Sequence, residues 1–490
     1  MLFRRWFWVF FSVAGIGLPA CDRGHGEPSA TQSNALGRAP QAEPASPPRA
    51  DPPPREAPIS HASNAPSPRS LAAPRPSLPQ YDEAALRERG IRKVSGRHLV
   101  LYTDLPVPVV DGAPRLLDQL YPVLADRFGA PTPHDKDAPW RVAGHVMADR
   151  ELFREMGLLP GDLPDFPAGI SRPGVFWVLD QETDYYRNHL LLHEVTHCFM
   201  DSSLGGRGPA WFAEGNAELL ATHFGSDGQM QFGRVPPSPD EVERWGRIEM
   251  VQRDVANGQV LTADDVMSLA YSRFDDDATA YAWSWALCAF LDAHPRYLAR
   301  FRQLHQWVRE PDFNERTRTV YAEDWAELAE EFQLFAANLT YGYECGRCAV
   351  DFRPGTSISK GERREVVVAS DRGWQNTGLH VEAEARYTLA ASGRFSIADE
   401  PRVWHSEAGG LSYRYVQGRP IGRLVASIHG DQPAGRSSML DVIDVGPSST
   451  LTPERDGTLY LRINDDWGQL SDNRGEVRVR IKQVAAERGR

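Results

Sequence analysis

The sequence predicts an α+β protein in which a domain of mixed sheet and helices precedes a separate all-β sandwich domain. Three observations lead to this prediction. Short apolar strands and amphipathic helices alternate as far as residue 179, and stretches with helical apolar spacing then continue to residue 339. Beyond residue 364 the apolar period changes to two, and short strands are separated by Gly, Pro and Asp turns.

Residues 1–21 predict an export signal. Two arginines precede the apolar run Trp6–Leu18, which is too short for a comfortable bilayer span. The run ends in Leu18-Pro19-Ala20-Cys21, which resembles a bacterial lipobox. We therefore expect a lipid on Cys21 and an exported protein tethered to a membrane of the cell envelope, on the periplasmic or outer surface. An ordinary signal peptide or an uncleaved anchor is the alternative.

Residues 22–80 predict a disordered tether, because a segment dominated by Pro, Ala, Ser and Arg buries too little apolar surface to offset its ordering entropy. The first globular domain is expected at 81–348, a polar linker at 349–364 and the sandwich at 365–486. The net charge is −12 and no long basic run occurs, which argues against a nucleic-acid partner.

Apolar spacing places the individual elements. Strands are predicted at His98–Asp104, Trp140–Met147 and Gly174–Leu179, with helices at Pro114–Phe128 and Arg150–Met156 between them. Further helices are predicted at Asp240–Val255, Thr262–Leu269, Tyr281–Leu291 and Asp324–Leu339. Alternating strands are predicted at Leu379–Leu389, Gly422–Ile428, Leu459–Ile463 and Val477–Ile481.

The motif His193-Glu194-Val195-Thr196-His197 is the centre of the predicted site. Residues four apart share one face of a helix, so His193 and His197 can present two imidazoles to one metal ion. Glu194 lies beside that face, where its carboxylate can handle the proton of a bound water. Apolar neighbours predict that the helix is buried, and a buried helix with these side chains favours a metal. A buried polar helix pair without a metal is the alternative.

A catalytic metal site needs a third protein ligand. The metzincin arrangement H-E-x-x-H-x-x-G-x-x-H is excluded, because Met200 and Ser203 stand where it needs Gly and His. A carboxylate from a second helix is the other solution. Pro209 suits the first turn of such a helix, and Glu214 lies on it. Glu218 follows one turn later on the same face, where it can accept the free ring N–H of a ligating His.

The H-E-x-x-H motif and the downstream Trp211-Phe212-Ala213-Glu214-Gly215-Asn216-Ala217-Glu218 together resemble the gluzincin clan of zinc peptidases. The resemblance is to peptidase-MA-like families of bacterial envelope proteins, in particular a planctomycete-type family of uncharacterised H-E-x-x-H proteins. It implies a gluzincin-like mixed sheet, zinc bound by His193, His197 and Glu214, and Glu194 as the general base.

Two further features are implied by the same resemblance. One is a sheet edge that can pair with an extended peptide, for which Val175–Leu179 is the candidate. The other is a tyrosine from a downstream helix, whose phenol would hydrogen-bond the developing oxyanion. Tyr281 is the candidate, with core packing as its alternative and Tyr271 as the rival. His189 and His223 are expected to be structural.

The cysteines offer little metal chemistry. Cys345-Gly346-Arg347-Cys348 is a C-x-x-C without a second pair, which argues against a zinc ribbon. In an oxidising envelope we expect a local disulfide between these two cysteines, with a reduced pair as the alternative. Cys198 and Cys288 are expected to be small buried hydrophobic residues.

The C-terminal module resembles the calcium-dependent galactophilic lectin family of bacteria. The similar stretches are Trp374–Gly378, Pro420–Ile428 and Gly457–Asp465, and Asn464–Gly475 matches the family loop N-D-x-x-x-x-x-x-[DN]-N-x-G. The family's sugar-contacting His and Gln have no clear counterpart in Ser406–Arg419.

The lectin resemblance implies a calcium site. Its side-chain ligands would be Asp465, Asp472 and Asn473, and the backbone carbonyl of Gln469 and one near Ile397 would complete the cage. An Asp/Asn-rich turn that joins two strands is the alternative.

These features together predict an exported, membrane-tethered zinc peptidase that acts on a peptide or protein substrate and carries a lectin-like module with calcium and glycans as its candidate ligands. The alternative is a non-catalytic envelope lipoprotein, in which the sandwich binds glycans and the helical domain is a degenerate peptidase scaffold. A third hypothesis keeps the zinc chemistry but directs it at a non-peptide amide or ester.

Overall fold

The computed structural model describes residues 78–131, 139–275, 277–431 and 435–484. The expected export signal, the lipid on Cys21 and nearly all of the tether lie outside these ranges. The predicted α+β class is confirmed, with a helix-rich first part and a separate β-sandwich at the C-terminal end. Every helix in the described ranges lacks the length or the apolar character needed to cross a bilayer.

The α-helices of the described residues belong almost entirely to the first part of the chain. They are α1 (Glu83–Glu88), α2 (Val107–Val110), α3 (Ala113–Phe128), α4 (Arg150–Glu155), α5 (Asp184–Leu204), α6 (Ala210–Ala221), α7 (Arg247–Ala256), α8 (Ala263–Met267), α9 (Ala278–Ala293), α10 (Leu298–Phe301), α11 (Phe313–Val320), α12 (Trp325–Asn338) and α13 (Cys345–Cys348).

The strands fall into two groups, before and after the helical stretch. The first group is β1 (Arg92–Ser95), β2 (Leu99–Thr103), β3 (Val142–Met147), β4 (Gly169–Arg172), β5 (Val175–Leu179), β6 (His223–Phe224) and β7 (Gln231–Phe232). The second is β8 (Arg363–Ala369), β9 (Gln375–Val381), β10 (Arg386–Ser392), β11 (Phe395–Ala398), β12 (Trp404–Ser406), β13 (Gly409–Val416), β14 (Arg419–Gly430), β15 (Ile443–Asp444), β16 (Ser448–Leu451), β17 (Gly457–Ile463) and β18 (Glu476–Val484).

The first sheet has the strand order β1-β2-β3-β5-β4. Strands β2, β3 and β5 are parallel, whereas β1 and β4 each pair with their neighbour in antiparallel fashion. The expectation that Val175–Leu179 is the free edge is therefore wrong, because this segment is β5 and is paired on both sides. The edge next to β5 is β4, joined to β5 by the turn Pro173-Gly174, and β1 is the opposite edge. Four half-buried residues gave no alternating pattern from which β4 could be predicted.

Helices α5 and α6 hold the predicted site. Thr183 caps α5 by accepting a hydrogen bond from the Tyr186 amide at 3.2 Å, and Gly205 ends the helix in the left-handed conformation. Pro209 directly precedes α6, as expected for this helix start. Every residue of α6 is buried, because the helix lies between α5 and α9. The polar side chains of α6 are therefore enclosed by its neighbours.

Gly215 sets the distance between α6 and α9. A Cβ at this position would lie 2.5 Å from the Ser284 carbonyl oxygen and 2.6 Å from Cys288 Sγ. Because the first neighbour is backbone, rotation of a side chain cannot relieve the clash. We expect Gly215→Ala to lower the free energy of unfolding by about 1–3 kcal/mol. Chemical denaturation measures this loss, and Gly346→Ala, whose Cβ would meet no atom within 4 Å, is the control. Equal midpoints for Gly215→Ala and wild type would contradict the close approach.

A four-strand layer with the order β16-β10-β18-β8 and a five-strand layer form the sandwich. The second layer has the order β13-β14-β17-β9, and β15 pairs with β14 beside this path. Side chains on alternate positions of β17, such as Leu459 and Leu461, pack into the core between the layers. The predicted single strand Leu379–Leu389 is instead divided between β9 and β10. Glu384, with a φ of 59°, lies in the turn that separates them.

The outer face of the β13-β14-β17-β9 layer is also buried. Val425, Tyr460 and Trp467 on this side belong to the same apolar cluster as the helices. Polar contacts join the two parts as well, since His429 Nε2 lies 2.9 Å from Glu330 Oε2 on α12. The sandwich therefore covers the helical part with one sheet face and builds its own core with the other.

Candidate metal centre

Three buried side chains converge between α5 and α6. His193 Nε2 lies 3.1 Å from His197 Nε2 and 3.1 Å from Glu214 Oε2, and His197 Nε2 lies 3.2 Å from the same carboxylate oxygen. The exposed fractions of His193, His197 and Glu214 are 5%, 3% and 9%. The structure therefore brings together the three residues expected to bind zinc.

The spacing of these atoms fits one tetrahedral ion. Metal–nitrogen bonds of about 2.0–2.1 Å in tetrahedral geometry separate neighbouring ligand atoms by roughly 3.3 Å. The observed separations of 3.1, 3.1 and 3.2 Å are close to that value. The two imidazole nitrogens and the carboxylate oxygen each carry a lone pair, and hydrogen bonds cannot satisfy all three contacts among them at once. A shared cation would satisfy all three.

The charges around the triangle also favour a cation. Burial opposes a charge on His193, but the carboxylates of Glu214 and Glu218 outweigh it and raise the pKa of this imidazole to about 10. Burial likewise opposes ionisation of Glu214, yet His197 and His193 hold the pKa of this carboxyl far below its usual range. Positive charge between these side chains is therefore strongly stabilised.

Glu194 points toward the edge of the first sheet. Its side chain is 6% exposed, and a Cβ at Gly169 of β4 would lie 2.7 Å from its Oε1. A side chain at this position of β4 would displace the carboxylate from where it lies. The carboxylate of the predicted base thus lies between its own helix, α5, and the edge strand β4.

Glu218 connects the site to a buried ion pair that the sequence did not predict. Its Oε1 lies 3.2 Å from His193 Nδ1 on the side away from Glu214, an ion-pair contact without ideal hydrogen-bond angles. Arg247 holds the same carboxylate with both Nε, at 2.9 Å, and Nη2, at 3.2 Å. With a metal bound, the one ring proton of His193 would lie on Nδ1, where the Glu218 carboxylate stabilises it, and Nε2 would present its lone pair to the ion.

His189 lies behind this network rather than in it as a free ligand. Its Nε2 is 3.2 Å from Glu218 Oε2, and its side chain is completely buried. His189, His193 and Glu218 also form a group with metal-ligand spacing. Arg247 already neutralises Glu218, however, so a second cation would have little to gain there. Arg247 is the first residue of α7, and no sequence spacing connects it with Glu218.

Tyr281 is the aromatic residue beside the site. Its ring centre lies 6.0 Å from that of His193, and its hydroxyl has no hydrogen-bond partner among the described residues. Burial raises the pKa of Tyr281 well above its usual range, and the carboxylates of Glu214 and Glu218 raise it further. The hydroxyl therefore stays protonated and free to donate. The rival Tyr271 already donates its hydroxyl to the Gly208 carbonyl at 3.0 Å.

His223 and the four described cysteines contribute no atom to the triangle. His223 is buried and contacts the Ala221 carbonyl through Nδ1, at 2.8 Å. Cys345 and Cys348 are buried free thiols on the single turn α13, so the expected disulfide is not formed. Cys198 and Cys288 are buried as expected.

The predicted calcium loop joins β17 to β18. Asp465 is fully buried, and its two oxygens accept hydrogen bonds from the Asp466 amide at 2.7 Å and from Asn473 Nδ2 at 2.9 Å. Burial raises the pKa of Asp465 to about 6. Two neighbouring oxygens, Asp472 Oδ1 and Asn473 Oδ1, are buried without a partner in the described part of the chain. Oxygens in this state fit a hard cation.

The loop also lies beside the strand expected to complete the cage. Ser396 of β11 pairs with Arg474, which places Ile397 next to the loop. Asn473 Nδ2 donates a second hydrogen bond to the Ser370 carbonyl at 3.1 Å. In this arrangement the Asn473 amide oxygen is the atom left available to a metal.

No protein-family model and no curated protein matches the chain. Among solved structures, the EclA N-terminal domain, a PllA-like lectin, is 22% identical over 24% of this chain and 95% of that chain, with a TM-score of 0.20.

Two structures of a metallopeptidase also match. "IMPa metallopeptidase in complex with T-antigen" is 11% identical, and IMPa from Pseudomonas aeruginosa in complex with an O-glycopeptide is 10% identical. Each match covers 79% of this chain and 47% of that chain, with a TM-score of 0.16. The chain thus spans about half the length of the metallopeptidase. TM-scores this low do not establish a shared fold.

Proposed function

We propose that this chain is a zinc-dependent peptidase that hydrolyses peptide bonds, with His193, His197 and Glu214 as the zinc ligands and Glu194 as the general base. The observation that carries the proposal is the buried triangle of two imidazole nitrogens and one carboxylate oxygen, with edges of 3.1, 3.1 and 3.2 Å. Three protein ligands that leave a fourth position open are typical of catalytic rather than structural zinc sites.

The chain's own residues would perform the proton transfers. Zinc at the site supplies a Lewis acid and lowers the pKa of a water to about 7. The Glu194 carboxylate accepts a proton from the attacking water and passes it to the leaving amine. The Tyr281 hydroxyl donates a hydrogen bond to the oxyanion that develops on the scissile carbonyl. Glu218, held by Arg247, orients the His193 ring.

The substrate would be an extended peptide paired with the free edge of β4. Glu194 lies over Gly169 at this edge, so a peptide added there as a strand would pass the general base. We further propose that the protein is exported and tethered to the cell envelope through a lipid on Cys21.

A digest tests the peptidase proposal. The purified protein is incubated with casein and with a peptide library, before and after zinc is removed by 1,10-phenanthroline. We expect cleavage that is lost with the chelator and restored by added zinc. Stoichiometric zinc without cleavage of any peptide would contradict the proposal and favour the non-catalytic alternative.

Tyr281→Phe should lower kcat by about 10²-fold and leave KM nearly unchanged, because it removes a donor that acts only on the developing oxyanion. Steady-state kinetics on a peptide found in the digest measures both constants. Tyr271→Phe is the control, since its hydroxyl is already bonded to Gly208. If Tyr281→Phe kept the wild-type kcat, the hydroxyl would have no catalytic role and the Tyr281 ring would serve packing alone.

A second candidate function is a non-catalytic, calcium-dependent glycan-binding lipoprotein. The unpartnered Asp472 Oδ1 and Asn473 Oδ1 favour a calcium ion in the loop. Trp404 and Tyr413 stack at 4.4 Å on the sandwich surface, with Tyr413 51% exposed, which offers an aromatic face to a sugar.

Calcium should raise the melting temperature by about 3–8 °C at concentrations well above Kd, because it binds only the folded loop. Asp465→Ala should remove this increase, and magnesium is the control ion because it fits a larger, flexible oxygen cage poorly. Differential scanning calorimetry measures the shift. Equal effects of calcium on wild type and Asp465→Ala would exclude the loop as the site.

A further inference from the structure

A cavity of about 620 Å³ lies between the helical part of the chain and the sandwich. We call it the interdomain cavity, and it is lined among others by Val255, Ala337, Trp374, Val425, Arg462 and Trp467. One wall comes from α7 and α12, and the other comes from the outer face of β14 and β17. Its volume falls within the range of about 300–1,000 Å³ found for small-molecule sites, which often lie between domains.

Arg462 is a buried cation in the wall of this cavity. Leu461 and Ile463 point into the sandwich core, so strand alternation sends Arg462 to the opposite face of β17. The side chain is 2% exposed. Its Nη2 donates to the Asp465 carbonyl at 2.7 Å and its Nε donates to the Ile463 carbonyl at 3.3 Å. Within the described residues, no carboxylate pairs with Arg462 and no atom accepts a hydrogen bond from Nη1.

Two indole rings hold the guanidinium in place. The Arg462 Cζ lies 3.7 Å from the ring centre of Trp467 and 5.7 Å from that of Trp374. The indole rings contact the flat faces of the guanidinium. Its N–H groups, which lie in the guanidinium plane, therefore remain available to donate hydrogen bonds to an anion. A guanidinium keeps its positive charge at neutral pH. A buried charge of this kind is stabilised by an anion that pairs with it.

The rest of the cavity wall decides what kind of anion fits. Among the described lining residues there is no Asp or Glu, although the chain has a net charge of −12. The other lining cation, Arg436, is already paired with Asp441 at 2.8 Å. The apolar walls include Val425, Met439 and Val442. Uncharged polar side chains such as Gln333 and Asn338 complete the lining. One available positive charge in a wall of apolar and uncharged polar side chains matches a single negative charge on a mainly apolar body.

We propose that the interdomain cavity binds a small organic monocarboxylate, with the carboxylate on the guanidinium of Arg462 and the apolar body between the sandwich face and α12. The site is separate from the metal centre and does not depend on the proposed peptidase function. A multiply charged phosphate is a poorer match, because only one cation is available to it.

Isothermal titration calorimetry on the full zinc-loaded chain tests the proposal with 4-phenylbutyrate and its neutral analogue 4-phenylbutanamide. We expect the carboxylate to bind at least about tenfold more tightly than the amide. Arg462→Met should abolish this preference, whereas Arg436→Met, which changes the already paired arginine of the same cavity, should retain it. Equal affinities in the wild type, no measurable binding of either compound, or an unchanged preference in Arg462→Met would overturn the proposal.

Ala337→Phe is the second variant, needed if Arg462→Met does not fold. It fills the cavity from α12 and leaves Arg462 in place. We expect loss of 4-phenylbutyrate binding with an unchanged zinc content and rate of peptide hydrolysis. Retained binding would overturn the location of the site. Because calorimetry does not depend on hydrolysis, a negative result here leaves the peptidase proposal standing.

Discussion

Glu194→Gln is expected to abolish peptide hydrolysis while the protein keeps about one zinc ion per chain. The amide cannot accept a proton from the attacking water, and loss of a general base typically costs about 10²–10⁴-fold in rate. Glu194 is not one of the three atoms of the triangle, so zinc binding should survive. Rate measurements and elemental analysis on the same preparation check both statements.

Glu88→Gln is the matched control for this experiment. It makes the same substitution at an exposed position of α1, far along the chain from the motif, and should change neither rate nor zinc content. If Glu194→Gln lost zinc together with activity, the side chain would have a structural role in the helix. If it kept full activity, another group would have to be the base.

Glu214→Gln is expected to lose most of the bound zinc, because a neutral amide replaces the only anionic ligand of the triangle. Glu218→Gln, one turn further along α6, should lower zinc affinity only about 10–100-fold, because it touches His193 and not the ion. The second change should instead reduce stability by about 3–5 kcal/mol, since it leaves Arg247 buried without its carboxylate.

Two measurements distinguish these variants. Zinc affinity is obtained by competition with a chromophoric chelator, and stability of the metal-free protein is obtained by denaturant unfolding. Glu214→Gln should show the larger loss of affinity, and Glu218→Gln should show the larger loss of stability. The opposite order would mean that Glu218 is the ligand and that the metal lies on the His189 side of His193.

Local spacing made the core of the site predictable. His193 and His197 share a face of the helix whatever the tertiary structure around it. Predicting the helix was therefore enough to predict that their side chains converge. Predicting the position of Glu214 required a second helix that begins near Pro209, and the structure has this helix. The change from helical to two-residue apolar period located the sandwich for the same reason, because the period depends on local backbone geometry.

Contacts between distant segments could not be predicted in this way. Arg247 reaches Glu218 because both α6 and α7 pack against α9, a tertiary arrangement without any sequence period. The edge strand β4 is held by its hairpin with β5 rather than by an apolar pattern of its own. Arg462 follows the strand period correctly, but the period alone does not reveal that helices cover the outer face of its sheet.

X-ray absorption spectroscopy at the zinc edge, on protein purified without chelator, tests the central claim most directly. We predict about one zinc per chain, with nitrogen and oxygen neighbours at about 2.0–2.1 Å. These neighbours correspond to His193, His197 and Glu214, together with solvent in the fourth position. A zinc shell with sulfur at about 2.3 Å would instead assign the metal to Cys345 and Cys348, and that result, or the absence of zinc, would contradict the account.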